Sequence, residues 1–120
     1  MIFNVTYKTT VEDIQRMINE VYPFLKLEFC KNIAFQGERV TQKTWHRSDA
    51  KLLEIADQCQ PTWIVLYPWY TIKYVIEIFK TKLGLHTQVF RKEDDQWVPI
   101  IPNDGLTLQE ENEIAKSVLS

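Results

Sequence analysis

"WIVLYPWYTIKYVIEIFKTKLG", Trp63–Gly84, decides the fold because it holds a strand, a helix start and a whole helix in one run. Residues 63–68 read as a strand of alternating sides. Thr71 stands where a helix N-cap belongs, since its hydroxyl can accept from a first-turn N–H. Ile72, Val75, Ile76, Phe79 and Leu83 then recur at helical spacing and form an apolar stripe. Gly84 suits the left-handed residue that ends a helix.

Moving outward, the same order of signals occurs near the N-terminus. Phe3, Val5 and Tyr7 fall on one side of a strand, and Thr10 with Asp13 resembles a capping box. Val11, Ile14, Ile18 and Val21 make a helical stripe that Pro23 ends. A strand follows with Leu25, Leu27 and Phe29 inward and Lys26 and Glu28 outward. The helices match at an offset of 61 residues, pairing Val11 with Ile72, Ile14 with Val75 and Ile18 with Phe79. The strands after them match at 60, pairing Leu25 with Leu85 and Phe29 with Val89.

The expectation is a single α+β domain over 1–120. Two βαβ-type units, about 1–31 and 62–120, build a mixed β-sheet with helices mainly on one face. Residues 32–61 join them. Residues 31–47 show no clear period and read as a long loop with a short strand at Ile33 to Phe35. Ser48 is expected to cap a short helix whose apolar side is Leu52, Leu53, Ile55 and Ala56. In the second unit "EDDQ" is a hairpin turn into "WVPII", "PNDG" is another turn, and Thr107 with Glu110 is a capping box opening a last helix at Leu108–Leu119.

The composition is that of a globular chain, 45% apolar and 25% charged. The net charge is −2, so no general attraction to nucleic acid or anionic membrane is expected. The N-terminus lacks a basic leader with an apolar core, and no run is long enough to span a bilayer. Cys30 and Cys59 lack CxxC spacing and read as reduced thiols of a cytoplasmic protein, with a disulfide between them as the alternative. Two histidines and two cysteines are too scattered for a zinc site, and Gly37, Gly84 and Gly105 make no phosphate-cradling loop. No metal or cofactor is expected.

Alternation places Ile64, Leu66 and Pro68 under the helices and sends Trp63, Tyr67 and Trp69 to the opposite sheet face, together with Phe90, Glu28 and His86. Three readings of that face compete. Another part of the chain covers it, it meets a partner, or it holds a ligand or catalytic site. Exposed aromatic patches mark interfaces, most simply a symmetric homodimer. A carboxylate beside an imidazole could polarise it, which makes Glu28 with His86 the catalytic candidate. "TWHRSD", Thr44–Asp49, is the other ligand candidate, with Trp45, His46 and Arg47 placed for a phosphate or carboxylate. The bland alternatives are solvated strand residues for the first pair and a polar loop anchored by one Trp for the second.

"TVEDIQRMINEVYPFLKLEF" and "GLHTQVFRK", followed by a Trp and "TLQEEN", resemble a small uncharacterised bacterial family found mainly among Bacteroidetes. The likeness spans about two-thirds of the chain. "EDDQWVPII" departs from it, and the strand at Trp63 is far more aromatic than the family's. The resemblance implies the fold and carries no chemistry. The reading as a whole is a cytoplasmic, non-enzymatic protein that works through contact with a protein partner or a second copy of itself. The alternative is a small-molecule or anion-binding protein or enzyme.

Overall fold

The computed structural model describes residues 1–36, 39–57, 60–102 and 105–119, and only the backbone for 32–36, 39–43, 118 and 119. Its elements are β1 (Ile2–Val5), α1 (Val11–Val21), β2 (Leu25–Gln36), β3 (Arg39–Trp45), α2 (Leu52–Ile55), β4 (Thr62–Val65), α3 (Ile72–Leu83), β5 (His86–Glu93), β6 (Gln96–Pro99) and α4 (Leu108–Leu119). The chain is α+β, as the patterning predicts.

The helix signals act as read. Thr10 accepts from the Asp13 N–H while the Asp13 carboxylate accepts from the Thr10 N–H, a reciprocal box that satisfies two orphan donors. The Thr10 backbone N–H, chiefly, with the Thr10 hydroxyl and Arg16 adding to it, holds the Asp13 carboxyl below the usual carboxylate range. Thr71 accepts from the Tyr74 N–H at 3.1 Å. Thr107 and Glu110 form the second box. Gly84 ends α3 at φ 68°, and a Cβ there would lie 2.6 Å from that of Asp57. Asp94 and Asp95 both take positive φ in the two-residue turn between β5 and β6, which matches the twist of a hairpin.

The strand pairing differs from the expected mixed sheet. β1 pairs antiparallel with β4 in a two-stranded sheet, and β3-β2-β5-β6 form a separate antiparallel sheet. A unit read as a crossover within one sheet instead sends its two strands to different sheets. The reason lies in the repeat itself. Phe3 faces Ile64, its own equivalent at offset 61, and Glu28 faces Gln88, its own equivalent at offset 60. An axis of approximate two-fold symmetry runs through both pairs, so like strands meet antiparallel across it.

The repeat also extends further than the sequence shows. Residues 31–47 are largely strand and not a loop, because β2 continues to Gln36 and β3 returns beside it. The His46 N–H donates to Phe29 O at 2.9 Å, and the Ile100 N–H donates to Val89 O at 2.9 Å. Leu52 N–H donates to Thr9 O at 2.8 Å, and Leu108 N–H to Tyr70 O at 3.0 Å. Val11 and Ile72 N–H groups donate to Ala50 O and Leu106 O at 2.9 and 3.2 Å. Each half is therefore β-α-β-β-α, with β3 and α2 answering to β6 and α4. Residues 32–61 complete the first unit as well as leading to the second.

One core joins both halves. Phe3, Val5, Ile64 and Leu66 from the small sheet meet Leu25, Leu27, Phe29 and Val89 from the large one, with the stripes of α1 and α3. Phe29 and Phe79 sit edge to face at 5.3 Å. Tyr7, which alternation places inward, is 62% exposed, because β1 stops at Val5 and the chain turns at once. Thr9 N–H donates to Thr6 O, and Thr6 N–H donates to the Thr9 hydroxyl.

Candidate functional site

Alternation in β4 has the phase the sequence implies. Ile64 and Leu66 are buried, while Trp63 is 59% and Tyr67 42% exposed. Trp63 stands opposite Asn4, and Val65 opposite Ile2, so these four share the outer side of the small sheet. Ile2 is exposed as well. Beyond the strand, Tyr67 and Trp69 stack with centroids 4.6 Å apart and ring planes within 9°. Tyr70 meets Tyr67 edge-on at 5.3 Å and Tyr74 at 4.6 Å, which carries the row onto the start of α3. Trp69 is 66% exposed. Internal cover, the first of the three readings, therefore does not apply to these rings.

Phe90, expected beside those indoles, lies on the other sheet. It faces Lys26 across the β2–β5 ladder and its ring lies 5.7 Å from Trp45. The Lys26 ammonium sits 5.1 Å from the Phe90 centroid and 5.4 Å from that of Trp97. This second outer face is a layer of half-buried rings and lysine stems. Alternation alone cannot tell which sheet a strand joins, so one predicted face is two.

Glu28 and His86 fall on neighbouring strands but not opposite each other. Glu28 faces Gln88 and His86 faces Cys30. The Glu28 carboxylate lies 3.5 Å from Lys26, and no hydrogen bond joins it to His86, which is exposed. The pair is not assembled as an acid–base dyad. Cys30 is buried; Cys59, its potential disulfide partner, falls outside the described residues.

Trp45, His46 and Arg47 do come together. They line a cleft of about 550 Å³ with Lys31, Lys51 and Ile55. Burial and the nearby Lys31 charge both push the His46 imidazole below its usual pKa, favouring its neutral form. Arg47 is held by Asp49 in a two-pronged exposed pair at 3.1 and 3.2 Å. Ser48 does not cap α2. Lys51 occupies the N-cap with no side-chain bond, because residues 48–50 are taken up in a turn whose carbonyls receive the α1 N–H groups of Val11 and Glu12. α2 is a single turn, so the helix-dipole argument for an anion there lapses.

Sequence reasoning missed Lys31, Ile55, Tyr70 and Tyr74. The tyrosines are four apart across the Thr71 cap, a helical spacing that a strand-based reading of the aromatic run passes over. Lys31 lies in the stretch taken for a loop.

Among the described residues, no cluster of three or more His, Cys, Asp or Glu is placed to hold a metal, and no helix is long and apolar enough to cross a membrane. No protein-family model matches the chain, and neither a curated protein nor a solved structure matches it.

Proposed function

We propose that this chain is a non-enzymatic self-association module that pairs through the outer side of the small sheet. The observation behind this reading is the exposure of Ile2 and Trp63 on the outer side of the small sheet and of the stacked Tyr67 and Trp69 just past the end of β4. Water-exposed indoles and phenols in contact with one another hold apolar area that burial would stabilise at roughly 25 cal/mol per Å². Rigid aromatic side chains lose little entropy when a partner covers them, which is why they anchor interfaces. The surface made of Ile2, Asn4, Trp63 and Val65 on the sheet, with Tyr67 and Trp69 beyond it, carries no charged side chain. It can therefore meet a copy of itself without like-charge repulsion, as a two-fold interface requires.

Light scattering across a size-exclusion peak, run at rising load, tests the reading. A mass moving from 14.3 kDa toward twice that value is the expected result. A mass fixed at 14.3 kDa at every load, with indole fluorescence fully open to quencher, would count against it.

A further inference from the structure

The two halves carry a cation at matching positions of the repeat, Lys31 falling at the register shift between Cys30 and Asn32, and treat it differently. In the second half Arg91, near the end of β5, donates to the fully buried Glu111 of α4 at 2.8 Å and to Glu93 at 2.9 Å. Burial works against the Arg91 charge, but these two carboxylates outweigh it and raise its pKa. Its equivalent at offset 60 is Lys31. The hydrogen bonds at Leu52 and Leu108 set α2 against α4, and the residue answering to Glu111 is then Ile55. Where the second half has a carboxylate, the first has an apolar side chain and an open cleft. Lys31 makes no ion pair with any carboxylate among the described residues.

We infer that the cleft is a binding site for a small molecule bearing a carboxylate, which takes the place beside Lys31 that Glu111 takes beside Arg91. Three features set the ligand class. Lys31 supplies the charge for the carboxylate. Ile55 and Trp45 supply apolar lining for a flat or branched body. The volume of about 550 Å³ is that of a metabolite-sized pocket. Arg47 is held by Asp49, and Lys51 shares the cleft with the Glu54 carboxylate, so Lys31, at the position that answers to Arg91, is the cation that reads the ligand. This site is separate from the outer side of the small sheet and stands or falls independently of pairing there.

The test is a proton–nitrogen NMR titration of the full chain with sodium benzoate, with benzamide as the uncharged analogue and inorganic phosphate as the other oxyanion. Benzoate is expected to shift Lys31, His46 and Ile55 signals saturably, while benzamide and phosphate do so far more weakly. Lys31→Gln should weaken benzoate binding by about tenfold or more, the loss of one charge-assisted bond, and Lys31→Arg should retain it. Lys31 is exposed, so neither change threatens the fold. Ile55→Glu, which installs the second half's acid, should abolish the benzoate shifts by filling the place from within. The absence of saturable shifts, equal shifts from benzamide or phosphate, or undiminished binding in Lys31→Gln would each overturn the inference.

Discussion

The two βαββα halves share a skeleton and differ at their surfaces. Both begin a helix at a threonine, bury the same helical positions and donate equivalent backbone N–H groups to equivalent carbonyls. Where the first half turns through Thr6, Tyr7 and Lys8, the second has Tyr67, Pro68 and Trp69. Where the second buries an Arg91–Glu111 pair, the first leaves Lys31 facing a cleft. Core positions are held alike because burial leaves little choice of size or polarity. Surface positions are free of that constraint, so a difference there is where separate roles can reside.

The largest effects are expected in the shared core. Phe79→Ala should cost about 3–5 kcal/mol and Ile18→Ala about 2–5, since both side chains are fully buried at equivalent positions. Urea unfolding would show it, and a loss below about 1 kcal/mol at either site would deny that the halves share one core. Next comes the ion pair. Arg91→Met removes the ion pair of the buried Glu111 carboxylate and should cost about 3 kcal/mol. Its counterpart Lys31→Met should stay within about 0.5 kcal/mol. Equal costs in thermal unfolding would erase the distinction between the two sites.

The helix caps contribute less, and the two halves differ there too. Thr10→Ala and Thr71→Ala should each cost about 1 kcal/mol. The acid response should differ, because Thr10 is boxed by Asp13 while Thr71 faces Tyr74. The Asp13 carboxyl has a depressed pKa in the folded state, so its contribution is present above the unfolded value and fades as pH falls through the folded one. Amide exchange in α1 should therefore quicken on acidification below the usual carboxylate range, and Asp13→Asn should remove that dependence. Identical acid responses in the natural chain and the Asp13→Asn variant would contradict the box.

The repeat is legible because helical stripes and the first strand of each half keep strict periods. Ile14 and Val75, or Phe3 and Ile64, can be matched without coordinates. The hairpin of β2 and β3 is not legible, and its register explains why. Shifts between Cys30 and Asn32 and between Ala34 and Phe35 break the two-residue alternation on which a strand is recognised. α2 escapes correct capping because its cap carries no side-chain bond. Which sheet each strand joins depends on contacts distant in sequence, such as Phe3 with Ile64, that no local pattern encodes. At the surface, the exposure of Trp63 follows from the phase of β4, and the meeting of Trp45, His46 and Arg47 follows from adjacency. The partner of Phe90 does not, because alternation assigns a side and not a sheet.

Sedimentation equilibrium on three proteins tests the proposed pairing most directly: the natural chain, Trp63→Ser/Trp69→Ser in the second half, and Tyr7→Ser at the matching turn of the first. Removing two aromatic anchors from an interface centre should weaken association by about 2 kcal/mol or more. The natural chain and Tyr7→Ser should rise together from 14.3 kDa toward twice that mass, while the double variant remains at 14.3 kDa. A natural chain that stays at 14.3 kDa throughout, or a double variant that associates equally well, would contradict it.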